Sequence, residues 1–419
     1  MSGNIKIPSL DSVYFVTDFG AVGDGVLDNT DAFNRALKTA GENGGGIVFV
    51  PAGNFLFKGH IIIPVAVTLQ GIYSYAPSHQ GRINENLPKP GESGSVLMPT
   101  ADKGTEDGEA FVILNHNASL KGVSIYYPEQ TDEQEPYKYP WTISLRGRNC
   151  AVIDVELLNA YNGIDAGKYD CPRHYISRVY GQPLRRGIYI DQIHDIGRIE
   201  NVHFNPWWSC SKTICDFMVE HGEAFLIGRC DWQYMTNCFA IFYKVGFLFD
   251  DFGNGKPNVL LNQCGHDESP MTVVVNKAQI HAGISFNNCQ MMGELYVNES
   301  NKGPVKFNNC GFWGTIHGRL GQSGSASLMN LNGKGHITIN SCQFYGWDID
   351  PDRKGSPCIN VNCDSSIISS CSFMRVKDKH ITVGENAKKC IILGNMFCGE
   401  IIIEKAKDGV VEEGFNATI

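Results

Sequence analysis

Several features are missing from this 419-residue chain, and each absence narrows what it can be. No apolar run approaches the ~20 residues needed to cross a bilayer, so no membrane partner is expected. The start shows no basic stretch followed by an apolar core, so no secretory leader is visible. Basic excess is missing too. The formal net charge is −9, which argues against nucleic acid as a partner, because phosphate binding is dominated by positive charge. Charge of either sign is sparse, at 19% of residues. The cysteines do not make a disulfide framework: there are 15, an odd number, in a chain too long to need staples. Free thiols without a leader imply a cytoplasmic protein, or a secreted one if a leader has been removed. Glycine, by contrast, is plentiful at 46 residues, as many tight turns between short strands would require.

Residues 16–53 carry the most specific local pattern, "VTDFGAVGDGVLDNTDAFNRALKTAGENGGGIVFVPAG". It reads as a strand, a Gly-rich turn, one helix, a second Gly-rich turn and a strand. Asp28, Asn29 and Thr30 offer capping oxygens to the helix N–H groups. Ala32, Phe33, Ala36, Leu37 and Ala40 then recur on one face at helical spacing. "GAVGDG" lacks the strand–turn–helix setting of a nucleotide loop. The segment resembles the start of the pectate-lyase superfamily of parallel β-helix proteins. That resemblance implies a helix plugging the open end of a solenoid, whose first coil has no neighbour beneath it.

Beyond residue 110 the chain resembles itself, as in "ISFNNCQMM", "VKFNNCGFW" and "ITINSCQFY". The unit is two alternating apolar residues, a small polar residue, a small apolar one, then an apolar residue two places on. Indexed on the small apolar position, copies fall at Val123, Val155, Val179, Val202, Cys238, Cys264, Cys289, Cys310, Cys342, Cys371 and Asn395. Their spacing of 21 to 36 residues suits coils of a β-helix with loop insertions. The expected fold is all-β: a single-stranded right-handed parallel β-helix of about eleven coils, with an N-terminal capping helix. Residues 1–60 form the cap and 61–419 the helix, with insertions near 73–107 and 205–222. The six cysteines in register are read as packing, since buried free cysteine behaves as a small hydrophobe and the spacings fit no zinc pattern. A side-by-side homotrimer is left open.

The strand before each repeat ends on a residue expected to face outward. Aligned, these positions read Arg146, Asp165, Asp191, Gly228 and Asp250, with Asp195, Asp231 and Asp251 close by. Like charges in register are costly unless something uses them. Glycoside hydrolysis uses a pair of carboxyl groups. With coils ~4.8 Å apart, Asp191 and Asp250 would stand two rungs apart across a gap left by Gly228, as acid and base of an inverting pair, with Asp165 tuning or replacing one. The arrangement looks like that of the polygalacturonases, but no coil strand carries their Asn-Thr-Asp triplet, and their Gly-His-Gly and Arg-Ile-Lys motifs are missing. Eight of the thirteen arginines fall within residues 146–229, and Arg146, Arg185, Arg186 and Arg229 are candidates to grip an acidic sugar. Trp207 and Trp208 offer flat faces for sugar rings, as do Trp141, Trp232 and Tyr234 unless they are core. Asp251, Glu220, His221 and Glu223 complete the candidate set.

Three functions follow. A glycoside hydrolase acting on a poly- or oligosaccharide without a metal is the leading one. A polysaccharide lyase would hold Ca²⁺ through Asp165, Asp191 and Asp250 and use Arg185 or Arg186. A non-catalytic glycan binder or tailspike-like structural protein would form no product.

Overall fold

The computed structural model describes residues 12–79, 88–89, 91–315, 324–375 and 379–419. Every strand pairing among them is parallel, and the strands form two sheets. One, here called sheet I, stacks thirteen short strands from Ile61–Ile63 to Ile403–Lys405. The other holds twenty-eight strands and bends along its length into two ladders. The strands Ala151–Leu157 and Tyr175–Gly181 run through that bend and belong to both ladders. Each circuit therefore passes through sheet I, then the first ladder, then the second, and returns one rung higher.

The repeat indexed in the sequence is the bend between the two ladders. Pairings on either side bring all eleven indexed residues into one register. All eleven are buried. The ladders run on beyond them at both ends, as the thirteen strands of sheet I show. The residue before each indexed one is left-handed, from Gly122 and Asp154 through Asn201, Asn237, Asn288 and Asn309 to Gly394, with φ of 51° to 67°. Asn and Gly visit that region at little cost, which is why a small polar residue recurs there. The exceptions are Gln263 and Arg178, the latter's guanidinium pairing with Asp154 one coil below (Nη2–Oδ2 3.0 Å).

Ladders of like side chains fill the interior. Phe312, Phe344, Phe373 and Phe397 stack with centroids 5.4, 5.0 and 4.7 Å apart. Thirteen of the fifteen cysteines are buried. Those in the indexed register donate to backbone carbonyls, as Cys264 does to Asn262 (3.6 Å) and Cys342 to Asn340 (3.3 Å).

Helix α1 (Thr30–Glu42) buries the five apolar residues read from its spacing. Phe33 meets Phe55 and Phe57 edge-on at 5.4 and 4.8 Å. Its cap departs from expectation. Asp28 accepts from the Thr30 N–H (3.0 Å), but Asn29 turns back into the Gly-rich loop, accepting from Val22 and donating to Leu27. Asn29 is wholly buried, and the loop's backbone groups claim its amide first. Of the two insertions, residues 80–87 and 90 of the first lie outside the described set. The second holds helix α2 (Lys212–His221), capped by Ser211, which accepts from Ile214 N–H (3.3 Å). No helix among the described residues is long and apolar enough to cross a membrane.

Candidate functional site

The outer face of sheet I carries polar and aromatic side chains in register, buried or half-buried. On the strands Trp141–Leu145, Asn162–Ala166, Arg186–Ile190 and Glu223–Ile227, inward residues such as Ile143, Ile164, Ile188 and Phe225 are paired in register and buried. Ser144, Asp165, Tyr189 and Leu226 form one column facing away from that core. Trp141, Asn162, Arg186 and Glu223 form a second, at the strand starts.

Two carboxylates converge on one guanidinium here. Arg186 Nη1 lies 3.1 Å from Glu106 Oε2, and its Nε lies 3.6 Å from Glu223 Oε2. Arg185 Nη1 donates to the same Glu223 oxygen at 2.8 Å. Tyr161 donates to Glu106 (3.2 Å), and burial, followed by that carboxylate, pushes its hydroxyl up to about 12. Sharing one guanidinium keeps the Glu106 and Glu223 oxygens within about 9 Å of each other, a limit that admits both retaining and inverting glycosidase pairs. Both remain partly exposed, at 26% and 22%. On the same face, Trp141, two coils from Arg186 in that column, and Tyr189, three residues beyond Arg186 on its strand, stack their rings at 6.2 Å and 21°. On the other side, Arg146 is held by Glu109 (Nη1–Oε2 3.2 Å), and Asp165 accepts from the N–H groups of Gly167 and Lys168, both at 2.9 Å. Burial raises the Asp165 carboxyl above its usual range against those hydrogen bonds.

The aspartate column needs correcting. Ala166, not Ile164, is the last inward residue of its strand, so Gly167 shares the rung of Arg146 and Asp191 while Asp165 stands two residues earlier beside Ser144 and Tyr189. A small inward alanine hid the register. The gap at Gly228 is not free space for water either: a Cβ there would come within 2.5 Å of the Asp191 carboxylate and 2.8 Å of Phe252. Asp191 is fully buried, and four donors converge on it: Gln192 N–H (2.9 Å), Arg229 N–H (2.6 Å), Tyr189 Oη (3.0 Å) and Asn254 Nδ2 (2.7 Å). Asp250 accepts from Asp251 N–H and Asn276 Nδ2, each at 2.7 Å, and Asp251 from Gly253 and Gly255 at 3.0 Å. These are turn-fixing bonds. The calcium set of Asp165, Asp191 and Asp250 is therefore split between two positions with its oxygens engaged. Among the described residues, no group of three or more His, Cys, Asp or Glu is disposed to hold a metal.

The other candidates scatter. Asp195 pairs with Arg173 (3.0 Å) in the open, and backbone N–H of Ile196 and then that arginine lower its carboxyl. Arg229 pairs with Asp231 (3.2 Å) at the start of the first ladder. Trp207 is nearly buried against Tyr180 (5.6 Å) and His203 (4.8 Å), and Trp208 packs partly on the core. Glu220 and His221 sit 3.9 Å apart at the exposed end of α2. Trp232 is not core: it is 52% exposed. Glu106 escaped the sequence reading because it comes from an insertion 80 residues before Arg186. Tyr189 had a signal, an aromatic at an outward position between two inward isoleucines.

Residues 14–131 match the family described as rhamnogalacturonase A/epimerase, pectate lyase-like. Over 46 residues, 11% of this chain, it is 50% identical to the mannuronan C5-epimerase AlgE1 of Azotobacter vinelandii, covering 3% of that protein. Over 95 residues, 22% of the chain, it is 32% identical to the tail spike protein of Shigella phage Sf6, covering 14% of it. The chain thus matches only a small part of the length of these curated relatives. Among solved structures, the N-terminal fragment of bacteriophage Phi29 gene product 12 aligns over 97% of this chain and 70% of its own, at TM-score 0.60 and 13% identity. The DFA-IIIase of Arthrobacter chlorophenolicus A6 in complex with GF2 aligns over 91% and 94%, at TM-score 0.53 and 11% identity. These structural likenesses show the fold, a parallel β-helix, and the pectate lyase-like family match covers its first coils.

Proposed function

We propose that this protein is a carbohydrate-active enzyme, a glycoside hydrolase that cuts a polysaccharide on the outer face of sheet I. The observation that carries the reading is the convergence of Glu106 and Glu223 on Arg186, on the same face as the stacked Trp141–Tyr189 pair. A sugar ring would lie against the aromatic pair, its C–H face on the rings. One carboxyl of the pair would protonate the leaving oxygen and the other would activate water from the opposite side. Arg185 and Arg186 position both. This moves the acid and base away from Asp191 and Asp250, whose oxygens are occupied by turn-fixing donors. A polysaccharide substrate is also what the pectate-lyase-like match and the short identity to a mannuronan C5-epimerase suggest.

The test is an assay of wild type on neutral and acidic polysaccharides, reading new reducing ends and the ultraviolet absorbance of unsaturated products together. Hydrolysis predicts reducing ends without that absorbance. Glu106→Gln and Glu223→Gln should each lose about 10²–10⁴ in kcat with thermal stability little changed. Unsaturated product would replace this reading with a lyase. A full rate in both variants would move the chemistry elsewhere.

A further inference from the structure

A groove lies on a different face of the molecule, along the first ladder. Along the first ladder, Tyr234, Leu260, Ser285 and Lys306 follow one another in register on four successive coils, all outward. With coils ~4.8 Å apart they mark a path of about 14 Å. Trp232 stands two residues from Tyr234 on the same strand. The two aromatics and Leu260 are exposed by 52%, 38% and 36% respectively, a concentration of apolar surface on a soluble-facing sheet. Trp232 and Leu260 line a groove of about 710 Å³ with Arg229, Asp231, His281 and Lys306.

The polar groups of the groove are arranged for a particular kind of molecule. Asn258 and Gln279 spend their amide N–H groups on the backbone, on Asp231 O (2.6 Å) and on Cys230 O and Lys256 O (3.1 and 3.2 Å). Their side-chain oxygens accept nothing from the described residues, which leaves two acceptors, each fixed by its amide's bond, in the lining of the groove. Lys306 forms no ion pair among the described residues, and Arg229 is balanced by Asp231 alone. In a chain of net charge −9, a groove with two cations and a histidine against one aspartate is a local excess of positive charge. Aromatic and aliphatic faces, fixed acceptors and cations together match an acidic oligosaccharide: apolar ring faces, many hydroxyls and periodic carboxylates.

We propose that this groove is a second, non-catalytic binding surface for an acidic polysaccharide. The proposal deepens the functional reading by naming the polymer class, and rests on it only for the idea that this polymer is also the substrate. The two faces are joined at their shared bend, where Tyr189 of the candidate site and the Arg229 N–H both donate to Asp191. A chain held in the groove is thereby kept near the outer face of sheet I, raising its local concentration there.

The experiment is calorimetric titration of the full chain with hexagalacturonate and, in parallel, with neutral maltohexaose. It uses wild type, Trp232→Ala, Lys306→Glu and the site variant Arg186→Ala. The groove predicts that Trp232→Ala weakens hexagalacturonate about tenfold, the worth of one good aromatic face. Lys306→Glu should weaken it as much or more, with a steeper loss at low salt. Binding should persist in Arg186→Ala. Trp232 and Lys306 are surface residues, so melting curves should match wild type. Wild-type affinity in both groove variants overturns the proposal. Equal binding of maltohexaose, unaffected by Lys306→Glu, overturns the acidic class. Loss of binding in Arg186→Ala alone would place the ligand on sheet I and sink the second surface. Absence of any hydrolytic product would remove the proposed reaction and leave these binding outcomes to decide the groove separately.

Discussion

Asp191 provides the sharpest separation between a structural and a catalytic carboxylate. Its two oxygens take two backbone N–H groups, a tyrosine hydroxyl and an asparagine amide at 2.6–3.0 Å, with no exposure to solvent. Replacement by alanine leaves four donors facing a void. At about 1–3 kcal/mol for each buried group left unpaired, partly relieved by water entering, the loss should be about 3–5 kcal/mol. Asparagine keeps the shape, but it turns an N–H₂ toward at least one donor and removes the charge, costing about 2–3 kcal/mol. Asp250→Asn is the control: only two donors reach it and it is partly exposed, so the loss should stay under about 1 kcal/mol. The assay is urea unfolding followed by tryptophan fluorescence. Midpoints should be compared rather than extrapolated free energies, because a long solenoid need not unfold in one step. The expected order of midpoints is wild type and Asp250→Asn, then Asp191→Asn, then Asp191→Ala. An Asp191→Asn protein that unfolds like wild type but loses turnover a hundredfold or more would refute the reasoning and return Asp191 to the chemistry.

Two further outcomes follow from the packing. In native protein Cys398, which is not buried, should react readily with an aromatic disulfide reagent, while the buried ladder thiols Cys238, Cys264, Cys289, Cys310, Cys342 and Cys371 should react only after denaturation; their fast modification in native protein would show that the coils open. His79 donates its backbone N–H to Glu156 and its ring Nδ1 approaches the same carboxylate, both at 2.6 Å. Burial pulls its ring pKa down, but the hydrogen bond and charge of Glu156 outweigh this and the net shift is upward. A raised folded pKa means this contribution is complete below the unfolded value near 6.5 and is lost as pH rises through the folded one. Protection factors around Ile72–His79, that is exchange corrected for its intrinsic base catalysis, should therefore fall above neutrality, and Glu156→Gln should abolish that fall; protection that stays flat with pH in wild type would contradict the pairing.

The coil repeat was legible because its cause is local. Each turn between the two ladders needs one left-handed residue followed by a small buried one, so Asn-Cys and Ser-Cys pairs such as Asn288–Cys289 and Ser341–Cys342 recur at five of the eleven indexed corners. Helix α1 was legible for the same reason, its buried face being written at helical spacing. The candidate site was not. Which residues share a rung depends on how neighbouring coils pair, and a single inward alanine at position 166 shifted Asp165 off the column assigned to it. Whether an aspartate is available depends on which backbone N–H groups a turn presents to it, as at Asp191. Glu106 reaches Arg186 and Glu223 only because an insertion folds back across the sheet. Sequence alone determined the coils and the turns, because each is specified within a few neighbouring residues. The tertiary structure decided the site, because carboxylates far apart along the chain become a pair only once the solenoid has stacked and its loops have crossed it.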